Sequence, residues 1–533
     1  MLSRRILAVV ALSAGLVARA GAQQQHPLWR FAADTDISYF TQTPLGNVLL
    51  VSGKSLTSID PESGQPTWSI TDSLSFSLKR EVPIPMTSSL WVAGDDGTGV
   101  IDLQTGAWNW RHPSPTLGTS RGLLLLPQKQ LALEYTARPN EPPVLGAIDI
   151  ETGRVRWQST SIIQRQLHTS ELECCRGRKL PTIEANLPPV IDHDSVIVLW
   201  VSEDGPIAIN ANSGAVIWRA TSLAGKTPPD LTGGYAPMLV ANGVLYVPYE
   251  NRLTAIDLAT GAAVWGKPRE YKAHVAQMEI MLQGLVVRSE IGPRDGGFVK
   301  RHVLELLDPK TGNPVWPDTF GDLAQATPFV VRNDSVFVAM VAQGFTGTHE
   351  RLLGLTLGNG ASREVANYDF KGDERPLTLE SRPAGFVLLS SQNVLMIDSA
   401  GLVRYHTYLP APQASKLARF GLTALNIAAN IAVSSIANSG SPNTRPGLFY
   451  PGVNINVDTR YRRTVEMQRY TYIVTPVPDS TGELVPGVVR VNKDTGRDEG
   501  RVPLGGRNRF VIDEAEGRVY ILASPRELVA YRF

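Results

Sequence analysis

The chain has 533 residues, 43% of them apolar, with 47 glycines, 38 prolines and two cysteines. Its 51 basic and 50 acidic residues leave a formal charge of +1, which supplies none of the electropositive footprint that a phosphate backbone requires. A chain this long and apolar can bury a large core, and its glycine and proline content fits a turn-dense β protein.

The first element is a leader. Arg4 and Arg5 form a short basic region, Ile6 to Val17 an apolar run, and Ala20-Gly21-Ala22 the small-residue pattern of a cleavage site. Residues 1–22 therefore read as a secretory signal peptide and 23–533 as one mature domain, exported to the periplasm or outside the cell. The apolar run is shorter than the roughly 20 residues of a membrane span, and no cysteine follows it, so neither a retained anchor nor a lipidated end is expected. Arg4, Arg5 and Arg19 leave with the leader, so 48 basic residues face 50 acidic ones, a net of about −2. Nucleic acid is not an expected partner.

A repeat then runs along the chain: SIDPESGQPTW (58–68), VIDLQTGAWNW (100–110), AIDIETGRVRW (147–157), AINANSGAVIW (208–218), AIDLATGAAVW (255–265) and LLDPKTGNPVW (306–316). In each, an Asp or Asn stands three residues before Ser or Thr, four before Gly and eight before Trp. The spacing has a physical reading. Asp60, Asp102, Asp149, Asn210, Asp257 and Asp308 are placed to accept backbone N–H groups within a turn. Gly64, Gly106, Gly153, Gly214, Gly261 and Gly312 supply the positive φ of a tight hairpin. The flanking apolar alternation reads as two strands. Trp68, Trp110, Trp157, Trp218, Trp265 and Trp316 are then equivalent, each a large ring packed on the neighbouring unit rather than part of a binding box.

Another strand precedes each turn, and four later units carry worn forms of the motif: RLLGLTLGNGASREV, NVLMIDSAGLVRY, GVVRVNKDTGRDEG and the C-terminal RVYILASPRELVAYRF. That makes ten units. The last lacks a turn and a final strand, whereas the N-terminal PLWRF has a tryptophan, Trp29, with no turn before it. Pairing the two would close a ring and remove exposed sheet edges. The expected fold is an all-β propeller of four-stranded blades.

Two segments interrupt the period. Cys174 and Cys175 sit side by side between Trp157 and Trp218. An exported pair tends to oxidise, but adjacent Cα atoms lie about 3.8 Å apart, below the usual disulfide range. A vicinal bridge is therefore strained. The readings are a structural vicinal disulfide or reduced pair, a clamp for a redox cofactor, or a metal site shared with His168. The second segment, 411–467, is an insertion whose first half carries Leu417, Phe420, Ala424, Ile427, Ile431 and Ser435 at helical spacing. It is expected to dock on the propeller or fill its channel, or to contact a partner protein or the membrane surface. Arg460, Arg462, Arg463 and Arg469 follow, as a solvated strand face or an anion contact.

Other motifs fail on context. GTSRG (118–122) matches Gly-x-Ser-x-Gly without the strand before and helix after that a nucleophile elbow needs. AGKT (224–227) lacks the first glycine of a phosphate loop, and Pro228 blocks the helix. DHD (192–194) lacks the glycine and distal Glu of a calcium loop.

The Asp-x-x-Thr-Gly-x-x-x-Trp turn resembles the repeat of the pyrroloquinoline-quinone-like β-propellers, which usually have seven or eight blades. Ten units depart from that number and imply either a wide ring or two pairs belonging to one blade. In the quinoprotein alcohol dehydrogenases of this family a vicinal disulfide lies against the quinone. That resemblance implies Cys174 and Cys175 as cofactor-binding residues for pyrroloquinoline quinone with calcium, in an alcohol or sugar dehydrogenase. The continuation RGRKLPT departs from the dehydrogenase pattern, and no segment matches its calcium ligands, its catalytic Asp or a Cys-x-x-Cys-His haem site. The chain looks more like the propeller subunit of bacterial outer-membrane protein assembly, which has no cofactor and binds a partner through loops. The expected function is an exported, non-catalytic scaffold of the cell envelope that binds a protein or ligand, through loops or the 411–467 insertion, with no cofactor and no catalytic residue. The quinone- and calcium-dependent dehydrogenase is the alternative.

Overall fold

The computed structural model describes residues 26–533 except 72–79, 113–119, 137–143, 160–189 (Ile162 apart), 291–301, 413–468 (Leu448–Phe449 apart) and several loop stretches of four residues or fewer. Among the described residues the strands form ten antiparallel sheets in chain order, one per blade. Blade 1 is typical, with strands Ile37–Gln42, Val48–Ser52, Ser55–Ile59 and Pro66–Thr71 paired in sequence. The count of ten holds as read, and the alternative that two pairs belong to one blade does not.

The ring closes through both ends of the chain. Phe510–Asp513, Arg518–Ser524 and Glu527–Arg532 form three strands of blade 10, and Trp29–Ala32 adds the fourth, with Trp29 opposite Ala530. The C-terminal strand thus finds its partner about 500 residues back, as the incomplete first and last units implied.

First strands of neighbouring blades approach one another: Ile37–Gln42 meets Phe510–Asp513, Leu239–Ala241 meets both Val190–Asp192 and His274–Met281, and Val330–Arg332 meets Thr378–Arg382. First strands therefore face the axis and fourth strands form the rim. Two end faces result. One carries the turns joining strands 1 to 2 and strands 3 to 4, here the turn face; the other carries the loops joining strands 2 to 3.

The core is built at the joints between blades. Alternate residues of a strand point to opposite sides of its sheet, and each blade is sandwiched by two others, so both sides must be apolar. In Val196–Val201 of blade 4, Ile197, Leu199 and Val201 pack against blade 3 while Val198 and Trp200 pack against blade 5. Ten apolar clusters of this kind each straddle one joint, from blades 1 and 2 round to blades 10 and 1. This is why second and third strands read as unbroken apolar runs.

Candidate functional site

The repeated turn builds its own geometry. Asp60 Oδ1 accepts the N–H groups of Ser63 at 2.7 Å and Glu62 at 3.1 Å, and the Ser63 hydroxyl at 2.8 Å. The Ser63 amide, with its hydroxyl and the Glu62 amide, holds the Asp60 carboxyl below its ordinary value against the opposing effect of burial. Asp102, Asp149, Asp257, Asp308 and Asn210 accept backbone N–H groups in the same way. The turn glycines share one left-handed conformation, with φ between 69° and 74° at Gly64, Gly106, Gly153, Gly214, Gly261 and Gly312. Gly106 is fixed twice over. Besides its φ of 73°, a Cβ there would fall 2.6 Å from the Trp68 ring.

That ring belongs to the preceding blade. Trp68 donates its indole N–H to Leu103 O at 2.9 Å, one residue beyond the turn Asp of blade 2. The same bond runs from Trp29 to Pro61, Trp110 to Ile150, Trp157 to Ala211, Trp218 to Leu258, Trp265 to Pro309 and Trp316 to Leu357, at 2.6–3.0 Å. Seven joints therefore carry the same device: a tryptophan seated over a bare glycine and tethered to the carbonyl of the residue that follows the first turn position. The structure spreads these residues around the ring and gathers none of them into a pocket.

The sector from blade 7 to blade 10 does the same job with different chemistry. Between blades 7 and 8, Arg332 donates to the carbonyls of Arg382 at 3.1 Å, Gly385 at 3.3 Å and Pro383 at 3.1 Å, beside a Phe337–Phe386 ring pair. Between blades 8 and 9, Tyr405 lies against Gly496 and donates its hydroxyl to Lys493 O, the carbonyl that a tryptophan takes elsewhere. Between blades 9 and 10, Gly500 occupies the tryptophan position and the C-terminal Phe533 lies where its side chain would be.

In this sector the residue after the turn Asp or Asn, buried and apolar in blade 2 (Leu103) and blade 5 (Leu258), is the buried Lys493. Lys493 Nζ meets Glu380 Oε1 at 2.6 Å, and Arg382 meets Glu380 Oε2 at 2.8 Å. Burial alone would raise the Glu380 carboxyl, but Lys493 and Arg382 hold it below its ordinary value. Glu514, in the first turn of blade 10, is pushed up to about 7 by burial, with Lys493 and Arg382 opposing and Glu380 and Asp513 adding to the rise. Three blades thus converge on one charged cluster at the turn face.

A second cluster lies towards the other face, at blade 6. His274 is stacked on Tyr235 with ring centroids 4.3 Å apart, its Nε2 is 4.0 Å from Glu290 Oε1, and Arg288 is paired with Glu290. On the first strand of the same blade, burial pushes Glu279 up to about 7. Neither cluster was singled out from the sequence. Glu380 and Lys493 are 113 residues apart, and no local motif marks residues that meet only across a blade joint.

Cys174, Cys175 and His168 lie outside the described residues, and so does the 411–467 insertion apart from Ala411, Pro412 and Leu448–Phe449. Among the described residues no three His, Cys, Asp or Glu side chains converge as metal ligands. No helix among the described residues is long and apolar enough to cross a membrane.

A family model described as outer membrane protein assembly factor BamB matches residues 13–265 and 203–366. Among solved structures, BamB from Moraxella catarrhalis aligns at 12% identity and a TM-score of 0.37, covering 87% of this chain and 98% of that one. A computationally designed protein, Ika8, aligns at 12% identity and 0.33, covering 72% and 98%. Quinohemoprotein alcohol dehydrogenase from Comamonas testosteroni aligns at 12% and 0.32, covering 80% and 83%. No curated protein is significantly similar to the chain in sequence.

Proposed function

Because the chain belongs to the family of outer membrane protein assembly factor BamB, we propose that it is an exported, non-catalytic β-propeller that binds another protein of the cell envelope. The observation that carries this reading is the family match over residues 13–366, two thirds of a chain whose repeated residues serve blade packing. Binding is assigned to the loops on the two end faces, since the blade sides are buried against one another. The work asked of this architecture is to hold those loops at fixed positions, for which a closed ring without sheet edges is suited.

The decisive experiment has two arms. Purified mature protein is titrated with pyrroloquinoline quinone and calcium and assayed for dye-linked alcohol oxidation. In parallel, loop variants carrying a photo-crosslinker are expressed in cells, and cross-linked proteins are identified from the envelope fraction. A specific envelope partner, captured from one face and lost with a loop substitution there, together with no saturable quinone binding, supports the scaffold. Saturable quinone binding with turnover, abolished by Cys174→Ser/Cys175→Ser, overturns it in favour of the dehydrogenase.

A further inference from the structure

The turn residues set a common level on the turn face, and third strands can be measured from it. In blades 1 to 5 and in blade 8 the third strand starts five residues before the turn residue, as Ser55 stands before Asp60 and Asn393 before Asp398. In blade 7 the turn residue is Thr356, whose carbonyl accepts Gly360 N at 2.8 Å, and the strand starts nine residues earlier, at Gly347. In blade 9 it starts at Leu484, eight residues before Asn492. At about 3.3 Å per residue these two hairpins overshoot the loop face by about 13 and 10 Å. Blade 8 lies between them, and its own hairpin already turns back at Ser390, whose N–H donates to Asn393 O at 3.0 Å. The result is a notch on the loop face, two sheet spacings or about 20 Å wide.

The floor of the notch is built. The connection from blade 7 lies on it, with Phe370 N bonded to Glu350 Oε2 at 2.9 Å and Lys371 N to Asn393 Oδ1 at 3.1 Å. Glu374 Oε2 accepts Gln392 N at 2.8 Å, Asn393 Nδ2 at 3.1 Å and the Ser390 hydroxyl. The charge exposed around this floor is mainly negative. Glu350, Asp369 and Glu374 lie on the blade 7 side, and Asp479 and Glu483 on the tip of the blade 9 hairpin, against the cations Lys371 and Arg375. Burial raises the Glu350 carboxyl, with Phe370 N and Arg375 opposing and Asp369 adding to the rise. Two large apolar side chains stand open beside these charges, Leu377 at 44% exposure and Leu484 at 56%. At the floor, Gln392 is 8% exposed; its Nε2 reaches Val474 O at 3.3 Å, while its Oε1 has no hydrogen-bond partner among the described residues.

We propose that the notch over blade 8 is the docking site for the envelope partner, and that its occupant is a basic segment of that protein carrying an apolar side chain. The inference rests on the scaffold reading and adds to it a place and a chemistry. Lysine and arginine side chains bring donors and no acceptor, which is what the carboxylates and the Gln392 carbonyl take up. An apolar side chain on the same segment covers Leu377 and Leu484. A gap of about 20 Å admits a single helix, about 10–12 Å across with its side chains, or a single loop. The walls are hairpins already paired in register, Val341 with Glu350 and Val477 with Val485, so docking orders little new chain. Attraction between opposite charges also makes the association sensitive to salt.

The test places a benzophenone side chain at Leu377 and at Glu483 in the notch, and at the exposed Asn212 and Gln283 on the turn face, in the full chain expressed in cells. The notch positions should capture one envelope protein through a peptide of net positive charge, and the turn-face positions should not. That protein, purified, should bind Asp369→Lys/Glu483→Lys at least tenfold more weakly than the unaltered chain at low salt, with an unchanged Tm. Added salt should weaken binding to the unaltered chain more than to the variant. Four results overturn the inference: no capture from the notch, capture through an acidic or uncharged peptide, cross-links only within the chain or to a second copy of it, or an affinity that the charge reversal leaves unmoved. Capture from the turn face alone removes this site and leaves the scaffold standing, whereas quinone turnover removes the scaffold itself.

Discussion

Seven joints of the ring are sealed by a tryptophan over a glycine, and three are sealed by something else. The comparison shows which part of the device the fold requires. At every joint an apolar cluster spans the two sheets and a side chain from one blade reaches a turn of the next, Arg490 against Gly517 being the one between blades 9 and 10. What varies is the chemistry at that point: an indole at seven joints, a tyrosine hydroxyl at Tyr405, a guanidinium at Arg332, and at Gly500 the backbone of the chain's own terminus. The three exceptions adjoin blades 8 and 9. They also surround the buried Lys493 and the partly buried Glu380, Arg382 and Glu514.

The comparison can be broken most forcefully at a tryptophan joint. Trp265 is 2% exposed and its indole N–H bonds Pro309 O at 3.0 Å, so Trp265→Ala should cost about 3–5 kcal/mol in a denaturant titration. A stable variant with altered ligand binding would instead make the tryptophans binding residues. At the charged joint, Lys493→Met leaves the Glu380 carboxylate with Arg382 as its one remaining charged partner and should cost about 3 kcal/mol, much of which the double variant with Glu380→Leu restores. Additive losses in that double variant would show that the pair acts independently.

The same sector should make stability pH-dependent. Glu514 has an ordinary value of 4.5 and is raised to about 7 in the fold. A raised carboxyl favours the protonated native state, so its cost is absent below 4.5, grows through the interval and is complete above 7. Stability should fall by up to about 3 kcal/mol as pH rises across that range. Glu514→Gln should flatten that limb of a Tm-against-pH curve; an unaltered curve places the titration elsewhere, with Glu279 next in line. Smaller still is Tyr405→Phe, which removes only the hydroxyl bond to Lys493 O and should cost about 1 kcal/mol. Least is Arg30→Ala at the ring seam. Its ion pair with Glu527 is 2.9 Å long but half exposed on the arginine side, and its loss should stay under about 1 kcal/mol at moderate salt.

Legibility in the sequence followed the same division. Where the joint uses Asp, Gly and Trp at fixed spacing, the unit could be read from a single line of sequence, because each constraint is local: a carboxylate bonding amides two and three residues on, and a glycine whose φ no other residue adopts cheaply. Trp29 was legible as the missing fourth strand because two incomplete units at the chain ends complement each other. Tyr405 could have been found by noting that the turn of blade 8 is one residue short, with Gly401 three residues after Asp398, which shifts the aromatic position back by one. Lys493 was visible as a charged residue at an apolar repeat position, but its partner Glu380 was not, since nothing in sequence spacing says which strand of the previous blade it meets.

The sequence alone determined the repeat, its ten units, the packing role of the tryptophans and the strand exchange that closes the ring. All four follow from period-2 apolar patterning and from turn chemistry that acts within about ten residues. Only the tertiary structure decided which carbonyl each indole tethers, which joints abandon tryptophan, and where Glu380, Lys493 and Glu514 meet. Those depend on how one sheet is set against the next, and the geometry of a joint is shared between blades that are distant in sequence.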